Sequence, residues 1–166
     1  MTTVTTVTTT AALPDAPLPD EPLADARMLG LAHYAARGVL ERVLARHGLT
    51  FQEQVALRAA VAGAPQPGDA LAARVQDSLK AGPAEAAAVV DALLAKRLLS
   101  RTDGALLSAT DAGRELLTAV AAETAPVTAR VWAGIPAEDL AAAARVLTLV
   151  TARAEAELAA EAGGAA

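Results

Sequence analysis

The chain has 166 residues, of which 54% are hydrophobic, 20% charged and only 2% aromatic, and its formal net charge is −5. That length suffices for one domain with its own core. The absence of cysteine excludes disulfides, thiolate metal sites and thiol nucleophiles, and the acidic balance means that a nucleic-acid partner must be met by a local basic face. No stretch approaches the roughly 20 apolar residues of a membrane span, and the amino terminus lacks the basic and apolar blocks of a signal peptide. No membrane partner and a cytoplasmic location are therefore expected. The apolar content is mostly Ala, Leu and Val rather than aromatic residues, which favours close-packed helices over sheet. The expected fold class is all-α dominated.

Residues 1–22 combine a Thr/Val repeat with a Pro-rich acidic segment, a composition that cannot pack a core and reads as a disordered tail. From Leu23 to His47 the positions Leu29, Ala32, Ala36, Val39 or Leu40, Val43 and Leu44 share one face, and Gly48 stands where a left-handed residue stops a helix. A second helix follows over Phe51–Ala62, with Thr50 as cap and Glu53 three residues on, the pattern of a capping box. Gly63, Pro65, Pro67 and Gly68 end it. A third helix runs from about Asp69 to Lys80, with Leu71, Val75 and Leu79 at four-residue spacing.

The stretch from Gly82 to Gly113 carries the diagnostic order. Pro83 suits a first helical position, and Val89, Val90, Leu93, Leu94 and Leu98 recur at helical spacing in a fourth helix over Pro83–Leu98. Two short runs follow, Leu99–Thr102 and Ala105–Ala109, joined by Asp103-Gly104, a pair suited to the positive φ angles of a tight hairpin. Thr110 then caps a fifth helix expected from Asp111 to about Gly134, bent where Pro126 removes a backbone donor. Pro136 starts a sixth, whose stripe of Leu140, Ala143, Leu147, Val150, Ala154 and Leu158 extends beyond what a compact lobe must cover. Such a stripe requires a partner helix.

Helix, turn, helix and small hairpin in this order read as a winged helix. Together with GLTFQEQVALRAAV from Gly48 to Val61 and LLSATDAGRELL from Leu106, it resembles the MarR family of bacterial transcription regulators over roughly Leu23 to Leu158. The resemblance implies a winged helix-turn-helix with long dimerisation helices and a short two-stranded β-wing. It divides residues 23–160 into a winged-helix lobe over 49–110 and dimerisation helices over 23–48 and 111–160. It further implies a homodimer that binds double-stranded operator DNA and releases it when a small anionic or aromatic ligand enters a cleft. No cofactor and no metal are expected.

The resemblance places Arg74, Lys80, Glu85, Arg101 and Thr102 toward DNA. Against this, the amino-terminal half of the fourth helix offers Ala84, Glu85, Ala86, Ala87 and Ala88 where base-reading side chains are usual, and the wing is short, leaving Arg101 at its base. Around that helix Arg74, Lys80, Lys96, Arg97 and Arg101 face Asp77, Glu85, Asp91 and Asp103, so the basic face is weak. For the ligand, the candidates are His33 and Arg37 on one flank of the first helix with the adjacent Tyr34, and, on segments that the resemblance places along the cleft, Arg58 and Trp132. An alternative is that Arg37 pairs with Glu41 on a solvated face and Trp132 belongs to core or interface. His33 and His47 lie 14 residues apart on one helix, roughly 21 Å, and cannot share a metal. Ser78, Ser100 and Ser108 lack a nucleophile-elbow context, so no catalytic residue is assigned. Two function classes follow: a ligand-responsive transcription regulator, or a dimer of the same architecture that has lost operator binding and works as a small-molecule-binding protein or enzyme.

Overall fold

The computed structural model describes residues 24–102 and 105–164. The expectations for the tail over 1–22 and for the hairpin tip at Asp103-Gly104 lie outside the described residues. Among these, the chain forms six helices and one two-stranded sheet in the order α1 (Ala26–Arg46), α2 (Phe51–Ala62), α3 (Gly68–Leu79), α4 (Pro83–Ala95), β1 (Leu99–Arg101), β2 (Leu107–Ala109), α5 (Asp111–Trp132) and α6 (Ala137–Gly164). Two compact units divide within α1, the first ending at Gly38 and the second beginning at Val39.

The first unit contains the amino-terminal part of α1. Asp25 starts the helix by accepting the Met28 N–H at 2.7 Å, satisfying one of the donors a helix start leaves open. Met28, Leu29, Leu31 and Tyr34 are all exposed there. Leu29 opens the apolar stripe expected along this helix. Of that stripe only Val43 and Leu44, in the second unit, are buried.

In the second unit, Leu57, Leu71, Val75, Ala86 and Leu93 are fully buried where α2, α3 and α4 pack together. Ala56, Ala60 and Ala86 in that core allow the helices to approach closely. Leu99 and Leu107 from the sheet and Val120 from α5 close it. A buried Leu of this kind contributes about 2–5 kcal/mol relative to Ala.

The turns follow from local chemistry. Gly48, at φ +64°, ends α1, and Thr50 and Glu53 form both halves of the capping box on α2. Helix α4 is shorter than its apolar spacing predicts. Arg97 adopts a left-handed φ of 58°, and the Arg97 and Leu98 N–H groups donate to the carbonyls of Leu94 and Leu93 at 2.9 and 3.0 Å, so the helix closes and Leu98 enters the core from the turn. Lys80 is likewise left-handed and caps α3 rather than continuing it. Helix α5 continues through Pro126 as far as Trp132. Strands β1 and β2 pair Leu99 with Ala109 and Arg101 with Leu107. Gln66, between α2 and α3, adds a bridge to Leu107 that the cluster of breakers there concealed.

One feature locks the wing to the helices, and another locks the helices to one another. Thr110 caps α5 through the Gly113 N–H, while its hydroxyl reaches the Arg97 carbonyl at 2.9 Å. Gly113 itself lies so near the Leu98 carbonyl that an added Cβ would sit 2.5 Å from that oxygen. Gly113→Ala should therefore destabilise the chain by about 1–3 kcal/mol through overpacking against backbone, measured as a lower urea midpoint.

The second feature is an ion pair. The Lys96 ammonium lies 2.7 Å from each oxygen of Glu53 and 2.7 Å from the Gly48 carbonyl. Burial pushes the Glu53 carboxyl up, but Lys96 together with the Thr50 amide and hydroxyl outweighs this and holds it below 4.5. A depressed carboxyl contributes stability that is present above its unfolded pKa and is lost as pH falls through the folded one. Lys96→Met should cost about 1–3 kcal/mol near neutral pH, less than a fully buried pair because Lys96 is 40% exposed. The loss of stability on acidification below about pH 4.5 should be smaller in this variant, and an unchanged acid profile in chemical denaturation would argue against the pair.

Candidate functional site

Helix α4 starts at Gly82-Pro83, with proline in the first turn and no side-chain cap. Its inward face is Ala86, Val90 and Leu93. Its solvent face presents Pro83, Ala84, Glu85, Ala87, Ala88, Asp91 and Ala95, which includes two acids and no cation. A groove of 460 Å³ runs beside it toward the wing, lined among others by Asp69, Ala87, Asp91, Leu94, Arg101 and Leu107.

The DNA-facing candidates are distributed around this helix. Arg101 is exposed on β1 and lines the groove. Thr102 directs its amide and hydroxyl onto the Leu106 carbonyl, at 2.7 and 3.2 Å, and so closes the base of the hairpin. Glu85 is exposed in the first turn of α4. Arg74 turns back over the α2–α3 connection, 3.4 Å from the Gln66 side-chain oxygen. Lys80 pairs with Asp77 at 2.8 Å and approaches Glu155 of α6 at 3.9 Å. The Asp77 hydrogen bond, with a smaller contribution from Glu155, holds its ammonium above the ordinary 10.5. These partners are exposed, and exposed pairs exchange readily for a better acceptor. Lys96, counted with the basic face from the sequence, belongs instead to the Glu53 pair.

A second hollow, of 700 Å³, lies between α2 and α5. It is lined by Gln54 and Arg58 from α2 and by Arg114, Leu117, Thr118 and Ala121 from α5, among others. Gln54 is 8% exposed. The Arg114 guanidinium donates to the Ala109 carbonyl at 2.7 Å and lies 3.6 Å from Asp111. Two guanidiniums beside an apolar wall form a surface suited to an organic anion. Of the ligand candidates, Arg58 lines this hollow, whereas Trp132, at the end of α5 and 55% exposed, does not. In the first unit, the His33 and Tyr34 rings form an edge-to-face pair with centroids 5.5 Å apart, and Arg37 is half-buried on the next turn.

Sequence reasoning missed Gln54 and Arg114. Arg114 stands directly after the Thr-Asp-Ala-Gly run, and its role becomes visible only when the start of α5 folds back against the end of β2. It also missed the Glu123 cluster, where Arg46 at 2.7 Å and His47 at 2.8 Å bind one carboxylate. Those bonds, Arg46 first, hold the Glu123 carboxyl below its ordinary value. They tie the end of α1 to α5 across 77 residues, a separation that no local pattern encodes.

No family model and no curated protein matches the chain. Solved structures do. A MarR family transcriptional regulator from a Rhodococcus strain aligns at 23% identity over 74% of this chain and 89% of its own, with a TM-score of 0.62. A MarR family protein of Mycobacterium tuberculosis in complex with DNA aligns at 23% identity over 79% and 98%, with a TM-score of 0.61. The same protein in complex with p-aminosalicylic acid aligns at 22% over 79% and 99%, with a TM-score of 0.60. The fold is that of the MarR winged helix. In this MarR-type frame α3 and α4 are the helix-turn-helix pair, and β1 and β2 form the wing.

Proposed function

We propose that this chain is a homodimeric, ligand-responsive DNA-binding regulator acting in the cytoplasm. The reading rests on one observation: α4 leaves a full face free of core contacts beside a two-stranded wing, on a fold shared with a protein solved on DNA. Because that face is alanine and acid, affinity comes from phosphates and not from bases, with Lys80 and Arg101 as the contacts and Arg74 and Thr102 as lesser ones. Among the described residues, no helix is long and apolar enough to cross a membrane.

The homodimer is supported by what the single chain leaves uncovered. Helix α6 has no buried residue among those described, yet it exposes Val146, Leu147, Leu149, Val150 and Leu158. Val131 and Trp132 on α5 and Leu29 and Leu31 on α1 are exposed as well. Apolar surface on helices of 21, 22 and 28 residues is covered by a second copy in this reading. The α2–α5 cavity takes the ligand, an organic anion held by Arg58 and Arg114. This role is supported by the guanidiniums there and by a structural neighbour's complex with p-aminosalicylic acid.

A second reading, a ligand-binding dimer without operator affinity, is favoured by the missing cations on the α4 face. A gel-shift titration decides between them. A regulator retards DNA from upstream of its own gene with strong salt dependence, and Lys80→Ala and Arg101→Ala each lower the salt slope by about one unit on every sequence. No retardation of that DNA at low salt would leave the second reading.

Leu147→Asp should place a charge in a desolvated seam and dissociate the dimer in size-exclusion chromatography. An unchanged dimer would move the interface elsewhere. Arg58→Ala should weaken p-aminosalicylate binding by about tenfold or more in calorimetry and leave the melting temperature nearly unchanged, since the residue is exposed.

A further inference from the structure

We infer that Arg114 couples the α2–α5 cavity to the wing: an anion bound in the cavity withdraws the Arg114 guanidinium from the Ala109 carbonyl and loosens β2. The inference rests on the ligand site proposed above and adds to it the route by which occupancy acts. Arg114 is the residue that belongs to both places. It lines the cavity with Arg58, Gln54 and Thr118, and its Nη2 donates to the carbonyl of Ala109, the last residue of β2, at 2.7 Å.

The base of β2 is held from two sides. On one side the Thr110 N–H donates to the Leu98 carbonyl at 3.0 Å, and its hydroxyl bonds the carbonyls of Arg97 and Leu98. On the other side stands Arg114. The Ala109–Leu99 pair lies between them, at the end of the ladder that carries Arg101. Wing position therefore depends on a guanidinium that also faces an open cavity.

The competition favours the ligand. A guanidinium offers a planar fork of donors that a carboxylate can meet with two oxygens, whereas a backbone carbonyl is a single neutral acceptor. Asp111, 3.6 Å away on the same helix and with its side chain 94% exposed, is too solvated to hold the group in place. Arg58 carries no ion pair among the described residues and supplies the second cation. Gln54, more than nine-tenths buried at the cavity wall, makes no side-chain hydrogen bond to a described residue and offers its amide to the bound anion. The cavity's apolar side, formed by Val61, Leu117 and Ala121, selects a carboxylate carrying a ring or branched apolar body over an inorganic anion.

A ligand that binds the loosened wing state better shifts the protein toward it, and DNA binding to the ordered wing must oppose that ligand by the same factor. Arg114→Lys keeps a cation at the cavity but lacks the planar fork, so it removes the bond to the Ala109 carbonyl and with it the link between occupancy and the wing, while Arg58→Ala removes a cavity cation and leaves that bond in place.

The test is amide hydrogen exchange of the full chain with and without p-aminosalicylate, together with calorimetry. In the wild-type protein, saturating p-aminosalicylate should speed exchange at Leu107, Ala109 and Thr110 by roughly tenfold, the effect of losing one charge-assisted hydrogen bond. Core amides such as Leu57 should not change. Arg114→Lys should weaken p-aminosalicylate binding, since the fork that meets the carboxylate is lost, and at saturating p-aminosalicylate its wing exchange should be already fast and indifferent to the ligand. Arg58→Ala should lose binding while keeping slow wing exchange. Unchanged wing exchange in the ligand-bound wild type, a ligand-sensitive wing in Arg114→Lys, or no binding of p-aminosalicylate would each overturn the inference. A protein that passes these tests but never retards DNA overturns the regulator reading and leaves the coupling standing.

Discussion

The Glu53 carboxylate joins three segments that are distant in sequence. It accepts the Thr50 amide at the start of α2 and receives the Lys96 ammonium from the end of α4, while that same ammonium holds the Gly48 carbonyl at the turn after α1. A carboxylate 5% exposed would be costly to bury alone. With a cation and a backbone donor on it, the site turns that cost into geometry: α2 can begin only where α4 ends. The order of the small apolar core follows from this, since fixing those two ends sets how Ala56, Leu57, Val90 and Leu93 meet.

That knot stabilises the helical lobe and leaves the wing to a different set of bonds. The wing hangs on Thr110, Arg114, the close approach of Gly113 to Leu98, the Gln66 bridge and the buried Leu99 and Leu107, and among the described residues no ion pair joins it to the helical lobe, that of Arg114 with Asp111 lying within α5. Local stability should therefore be graded, high where α2, α3 and α4 pack and lower along β1 and β2. A segment that must change position between two states is expected at the low end of such a gradient. The six-helix frame supplies that gradient because its only sheet among the described residues has two short strands, extended by the Gln66 bridge alone.

Much of the frame was legible in the sequence. Gly48, the Thr50–Glu53 capping box, Pro83 and Thr110 are local signals, and each marks the element boundary it was expected to mark. The end of α4 was misjudged because Arg97 adopts a conformation normally left to glycine, so composition concealed the stop. Leu29 belongs to a helical stripe, but the single chain leaves it exposed, since periodicity says that a face is apolar and not what covers it. Of the candidate ligand residues, Arg58 lines the hollow between α2 and α5. Arg114 was not singled out, because its contact to Ala109 depends on how the start of α5 folds back against β2, which no spacing rule records.

The α4 face shapes how this fold is used. A recognition helix specifies a sequence through donors and acceptors on its outward side, and here that side offers methyl groups, Glu85 and Asp91. Alanine lets the helix come close to a surface without reading it, while the two acids oppose the potential of a phosphate groove. The cations that remain lie at the edges, Lys80 before the helix and Arg101 after it, and Lys80 is already engaged by Asp77 and Glu155. DNA would have to displace those carboxylates, so each contact yields less than a free lysine would give. Any discrimination between sequences then falls to groove width and flexibility sensed at the flanks, where the position of the wing counts for more than the identity of any residue on α4. In the proposed regulator, control would then sit at the wing, which is where Arg114 makes its bond.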